Sequence, residues 1–172
     1  MKKFTLLFIG IVAILCFASS CSNKSVQLRI LKKEVKKNPQ SAQSHNNLAF
    51  FYEETLGDCE KAIEEYKISL QIKPDGNLIA SNNIAQCNYK LKRYDEALKI
   101  FEQLVKDYPN NSRIHGNLAM TYHQLGRYED AEHEYKKALE LNPNNEPAKN
   151  GYEIFKEDIK TKKIGTEGKG TE

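Results

Sequence analysis

Apolar residues recur three and four apart along most of the chain, the period of an amphipathic helix. The same pair of stripes returns three times. Leu48-Ala49 precede Ala62-Ile63, Tyr66 and Leu70. Ile84-Ala85 precede Ala97-Leu98, Phe101 and Val105. Leu118-Ala119 precede Ala131, Tyr135 and Ala138-Leu139. The small residues opening each second helix, Ala62, Ala97 and Ala131, lie 35 and 34 residues apart; Pro39, Pro74, Pro109 and Pro143 step by 35, 35 and 34. The pattern predicts an all-α chain of three helix-turn-helix units over residues 39–145, at about 42–75, 78–110 and 112–145. Leu28, Leu31 and Val35 predict a short capping helix before them, within 21–38. Ala148, Tyr152, Phe155 and Ile159 predict another after them, over 146–160. Residues 161–172, rich in Lys, Gly and Thr, are expected to be disordered.

Each recurring residue has a physical task. Ala49, Ala85 and Ala119, with their partners on the second helices, let paired helices approach closely. A larger side chain there overpacks the contact at roughly 1–3 kcal/mol. Tyr66, Phe101 and Tyr135 fill the gap toward the next unit. The prolines end the second helices, and Asp75-Gly76, Asn110-Asn111-Ser112 and Asn144-Asn145 turn the chain and cap the next helix. Gly57 and Gly126 suit left-handed turns between paired helices; Lys92 stands in that place in the second unit, where the conformation costs about 1 kcal/mol. The first unit has one extra residue between Ala49 and Ala62, which predicts a distorted turn.

Several positions recurring together in three copies resemble the tetratricopeptide repeat (TPR). The resemblance implies an α-solenoid whose first helices line a concave, peptide-binding surface. By helical spacing the stripe opposite the core is Gln43, Asn46, Phe50 and Glu53 in the first copy. It is Ile79, Asn82, Gln86 and Tyr89 in the second, and Arg113, Gly116, Met120 and His123 in the third. Phe50, Ile79, Tyr89 and Met120 are apolar on a face expected to be wet, as a groove gripping an extended or helical peptide requires. The alternative is that some of these residues pack beneath the caps or a neighbouring chain. Asn46, Phe50, Glu53, Ile79, Asn82, Gln86, Tyr89, Arg113, Met120 and His123 are the candidate groove. Some family members clamp a C-terminal carboxylate with lysines and asparagines. Here Asn47, Asn83 and Asn117 recur in every copy, as structural residues do, and only Arg113 and Lys90 stand nearby as cations; the clamp is not carried over.

The N-terminus reads as an address. After Lys2-Lys3, Phe4 to Phe17 is almost wholly apolar. Fourteen residues reach roughly 21 Å, short of the roughly 30 Å hydrocarbon core, so a signal peptide over 1–20 fits better than a spanning helix. Ala18-Ser19-Ser20-Cys21 resembles a bacterial lipobox, with Ala18 where the family usually has Leu. The resemblance implies cleavage before Cys21, lipid on its sulfur, and palmitate-type acylation. Several chains are needed because one gives only marginal membrane binding. Ser22 after Cys21 favours, by the same resemblance, the periplasmic face of a Gram-negative outer membrane over the inner membrane. A secreted chain without lipid is the alternative.

Charge and candidate chemistry narrow the function. The net charge of +3 falls to +1 without Lys2 and Lys3, a near-neutral balance that gives no overall electrostatic footprint for nucleic acid. His45 and His115 hold equivalent places in two copies and read as packing groups. His123 and His133 lie on different helices, so no metal site or cofactor is expected. Glu53-Glu54 and Glu64-Glu65, adjacent on their helices, do not face one another. Cys59 and Cys87 are either a disulfide of an exported protein or two small apolar fillers, the second being favoured. These readings predict a protein that is not an enzyme: a membrane-anchored adaptor binding a protein or peptide, in cell-envelope assembly of a pilotin-like or accessory kind. Regulation of a peptidoglycan or envelope enzyme is the alternative, and homo-oligomerisation through exposed repeat faces stays open.

Overall fold

The computed structural model describes residues 23–74 and 78–167, with side chains as far as Thr161. The predicted signal segment, Cys21 and the Asp75-Gly76 turn lie outside the described residues. Every regular element among the described residues is a helix. The chain divides into two compact units, Met1–Gly76 and Asn77–Glu172, so the division falls after the first predicted repeat.

In the first unit, α1 (residues 23–37) precedes the pair α2 (Ala42–Phe50) and α3 (Cys59–Ile72). Ser41 caps α2 by accepting from the Ser44 amide at 3.2 Å, and Asp58 caps α3 through the Lys61 amide at 3.1 Å; such caps satisfy amides that the helix leaves without partners. Ala49, Ala62 and Tyr66 are fully buried where the pair meets. The predicted distortion takes a definite form. From Phe51 to Thr55 the helix widens into a π-turn, a common way to absorb one inserted residue. The Asp58 amide then reaches back six residues to the Tyr52 carbonyl at 2.8 Å.

The second unit holds α4 (Leu78–Lys90), α5 (Tyr94–Asp107), α6 (Ser112–Gln124), α7 (Tyr128–Leu141) and α8 (Glu146–Glu167). Its two intra-pair turns share one pattern. Arg93 and Arg127 each donate their amide five residues back, to Asn88 and Tyr122, at 2.9 Å. Gly126 has φ of 75°, and Lys92, as its position predicted, is left-handed at 61°. Ala85, Ala97, Phe101, Leu118, Ala119, Ala131 and Tyr135 share one core.

Helix α8 covers the end of this core with Ala148 and Phe155, each 1% exposed. Phe155 lies edge-on to His123 at 5.2 Å, and Tyr152 stacks on Tyr135 at 5.4 Å. Asn145 ties the helix down: its amide nitrogen donates to the Ser112 hydroxyl (2.7 Å) and carbonyl (3.1 Å), while its oxygen accepts from the Ala148 amide. The helix runs to Glu167, seven residues beyond the predicted end of the capping helix at 160. Thr161, whose hydroxyl could have opened the turn, instead bonds back to the Asp158 carbonyl at 2.9 Å, a bond compatible with continued helix.

Candidate functional site

Tyr89, on the last turn of α4, and Met120, in the middle of α6, form the centre of the candidate face in the second unit. With Gln86, Lys90, Phe101 and Asn117 they line a pocket of about 220 Å³. Tyr89 and Met120 also wall a second pocket of about 130 Å³, completed by His123, Gln124, Tyr135, Gly151, Ile154 and Asp158. The two side chains are thus a ridge with a cavity on either flank. Tyr89 is half-buried and edge-on to Tyr94, with ring centroids 5.4 Å apart. Burial, followed by the field of Tyr94, raises the Tyr89 phenol above its ordinary range, and a hydrogen bond with Gln124 opposes this. The phenol therefore stays neutral, as an apolar contact surface requires. An apolar ridge with an amide and ammonium rim can accept an aliphatic or aromatic side chain and bond the backbone around it.

The other candidates are distributed differently. Ile79 (61% exposed) and, in the first unit, Phe50 (57%) project into solvent as expected. Arg113 is exposed but lies at a separate, open, asparagine-rich pocket with Asn110, Asn111, Asn142 and Asn144. Asn82 is 2% exposed, and its oxygen accepts from the Asn117 amide at 3.1 Å. Its predicted place on a wet stripe is corrected: a first helix packs against the first helix of the next repeat as well as against its own partner. Gly116, at the same place in the third repeat, shows why: a Cβ there would sit 3.1 Å from the Ala148 Cβ of α8. Asn46, the first-repeat equivalent, is half-buried; among the described residues its buried oxygen has no partner.

Glu53 is also corrected. It is 5% exposed and accepts the Tyr66 hydroxyl at 3.1 Å, because the π-turn carries it inward. His123 has a side chain only 10% exposed, with Nε2 3.1 Å from Asp158; α8 covers most of it, although one edge still reaches the smaller pocket.

His45 and His115 are packing groups with a specific partner. His115 Nδ1 lies 2.5 Å from Glu134 Oε2 and Nε2 lies 2.9 Å from the Pro109 carbonyl. His45 repeats this with Glu65 at 2.6 Å and the Pro39 carbonyl at 3.1 Å. Each ring thus bridges both helices of its repeat and the proline before it. Cys59 and Cys87 are buried and are not joined in a disulfide, the filler reading. Among the described residues, no group of three His, Cys, Asp or Glu side chains is placed to hold a metal ion. The candidate groove left out eight residues that line the two pockets, Phe101, Gln124, Ile154 and Asp158 among them. Ile154 carried a signal, since it falls one residue off the apolar stripe of α8 and yet is aliphatic.

Comparison with known proteins follows the same repeats. Tetratricopeptide repeat models match residues 40–108 and 88–152. A curated relative, anaphase-promoting complex subunit 7 of Arabidopsis thaliana, is 30% identical over 122 residues, which are 71% of this chain; the chain spans only 22% of that relative. Among solved structures, MamA has a TM-score of 0.69 at 17% identity, covering 82% of this chain and 81% of its own. The first TPR of Spaghetti (RPAP3), bound to an HSP90 peptide, has a TM-score of 0.63 at 22% identity, covering 70% of this chain and 94% of its own. At these identities the structures show a shared helical-repeat fold.

Proposed function

This chain carries tetratricopeptide repeats, and from that premise we propose that it is an interaction scaffold which holds a partner polypeptide against the Tyr89–Met120 ridge. The observation that carries the reading is the pair of pockets flanking this ridge on α4 and α6. A partner segment places one apolar side chain in the larger cavity, and Gln86, Lys90 and Asn117 meet its backbone. The peptide held by the RPAP3 repeat is consistent with this mode. We place the scaffold on the bacterial cell envelope, lipid-anchored through Cys21 at the periplasmic face of the outer membrane, where it recruits a component of envelope assembly. The small residues before Cys21 and the short apolar segment support that placement.

Replacing Tyr89 and Met120 together by Glu sets two carboxylates on the ridge and abolishes partner capture, while thermal melting stays near native. Unchanged capture by a folded double variant would defeat the assignment. An unmodified Cys21 at the mature N-terminus, read by mass spectrometry, would defeat the anchor separately.

A further inference from the structure

We propose that the outward face of α1 lies on the surface of an anionic lipid bilayer. On a helix of 3.6 residues per turn, Leu28, Leu31 and Val35 fall within roughly 60° of one another, and these three are the partly buried side chains of α1. Two contacts fix that inner side: the Lys24 ammonium donates to the Thr55 carbonyl at 3.3 Å, and the Lys32 ammonium lies 5.9 Å from the centre of the Tyr52 ring. Directly opposite, within roughly 60° of one another, are Val26, Ile30, Lys33 and Lys37, all exposed. Val26 is 41% and Ile30 60% exposed; Arg29 and Lys36 run along one edge of this face, and Gln27 and Glu34 along the other. Two aliphatic side chains one turn apart among four cations match a helix that dips its apolar residues below lipid headgroups and keeps its cations among the phosphates.

The charge distribution favours the same occupant. Of the net +3, Lys2 and Lys3 supply +2, and residues 23–37 supply +5 from six cations and Glu34; residues 38–172 therefore carry −4. The basic charge of the folded chain is concentrated on the first helix after Cys21. A bilayer with anionic headgroups attracts that helix and repels the remainder of the protein, which orients the repeats away from the membrane. The inference rests on the proposed membrane location, and it adds the second signal that converts a lipid tether into oriented attachment.

The test compares the full chain on vesicles of phosphatidylcholine alone and of phosphatidylcholine mixed with phosphatidylglycerol. With Lys2 and Lys3 replaced by Ala in every protein compared, the apolar N-terminal segment and any lipid act on both vesicle types alike, so the ratio of the two affinities reports α1. The native chain is expected to prefer the phosphatidylglycerol vesicles by roughly tenfold or more, with the preference collapsing in high salt. Each cation near an anionic surface contributes about fivefold. Lys33→Ala with Lys37→Ala should therefore cut the preference by about twenty-five-fold, or to parity, at native helicity. The control pair Lys99→Ala and Lys106→Ala, exposed on α5, should keep it. Equal affinity of the native chain for both vesicles overturns the proposal, as does a preference that survives the α1 pair or disappears equally with the control pair. Loss of lipid on Cys21 changes binding to both vesicle types and leaves their ratio intact, which separates failure of the anchor from failure of this inference.

Discussion

The first and third repeats carry a His–Glu bridge, whereas the middle repeat carries Ser81 and Ile100 at the corresponding places, four residues before Ala85 and three after Ala97. The protein thus contains both members of a substitution experiment. His115→Ser alone leaves the Glu134 carboxylate, whose side chain is 14% exposed, without its 2.5 Å partner, and leaves the Pro109 carbonyl unbonded. Removing one partner of a buried pair costs on the order of 3–5 kcal/mol. Glu134 also lies 3.2 Å from the ring of His133, which is exposed, so about 3 kcal/mol is expected. Glu134→Ile alone leaves a buried ring nitrogen without its acceptor, at about 1–3 kcal/mol. The double substitution reproduces the middle repeat and exchanges a polar bridge for aliphatic packing, which is often neutral. It should therefore lie within about 1 kcal/mol of the native protein, so the two single costs, which sum to about 4–6 kcal/mol, exceed the double's by about 3 kcal/mol or more. Urea unfolding of the four proteins, at one pH and with unchanged denaturant slopes, measures the cycle. Single effects that add to the double effect within about 0.5 kcal/mol would refute the claim that the two residues act as one unit.

Other outcomes follow from the same geometry. Lys92 sits at φ of 61° where the equivalent turns have Gly57 and Gly126; Lys92→Gly should raise stability by about 0.5–1 kcal/mol in denaturant unfolding, the relieved left-handed strain exceeding the added chain entropy. A Cβ at Gly151 would lie 3.0 Å from the Tyr135 ring, which is 1% exposed and stacked on Tyr152. Gly151→Val should thus cost about 2 kcal/mol or more, seen as a lower melting temperature. The Tyr122 phenol is pushed up to about 12, by burial first and then by its hydrogen bond to Glu102; burial also raises Tyr135. Both folded values exceed the unfolded value of about 10, so their contribution is present below about pH 10 and lost as pH rises from there towards 12. Melting temperature should fall across that window, and absorbance titration should show phenolates appearing there together with unfolding.

The helix pairs were legible because their signal is redundant: Ala49, Ala85 and Ala119 need close approach, and their partners Ala62, Ala97 and Ala131 recur at nearly the same interval. The strained turn at Lys92 was legible because glycine holds its place elsewhere. The candidate face was legible only in part. A helical wheel separates the core from everything else, and it cannot distinguish solvent from the next repeat, which is why Asn82 and Gly116 were placed outside and are buried. One inserted residue turns a helix by about 100°, and so Glu53 was misplaced even though the insertion itself was noticed. His123 was misplaced because α8, which covers it, comes from a distant part of the chain. The His–Glu bridges were not read at all, although the simultaneous loss of both residues in the middle repeat was a usable signal.

The central claim is that the Tyr89–Met120 ridge holds a partner polypeptide. A photo-crosslinking side chain placed at Met120 in intact cells tests it most directly, with the same group at exposed Lys99 on α5 for comparison. The account predicts one discrete adduct from position 120, absent from position 99 and lost when Tyr89→Glu is added. No adduct from position 120, or the same adduct from both positions, would contradict it.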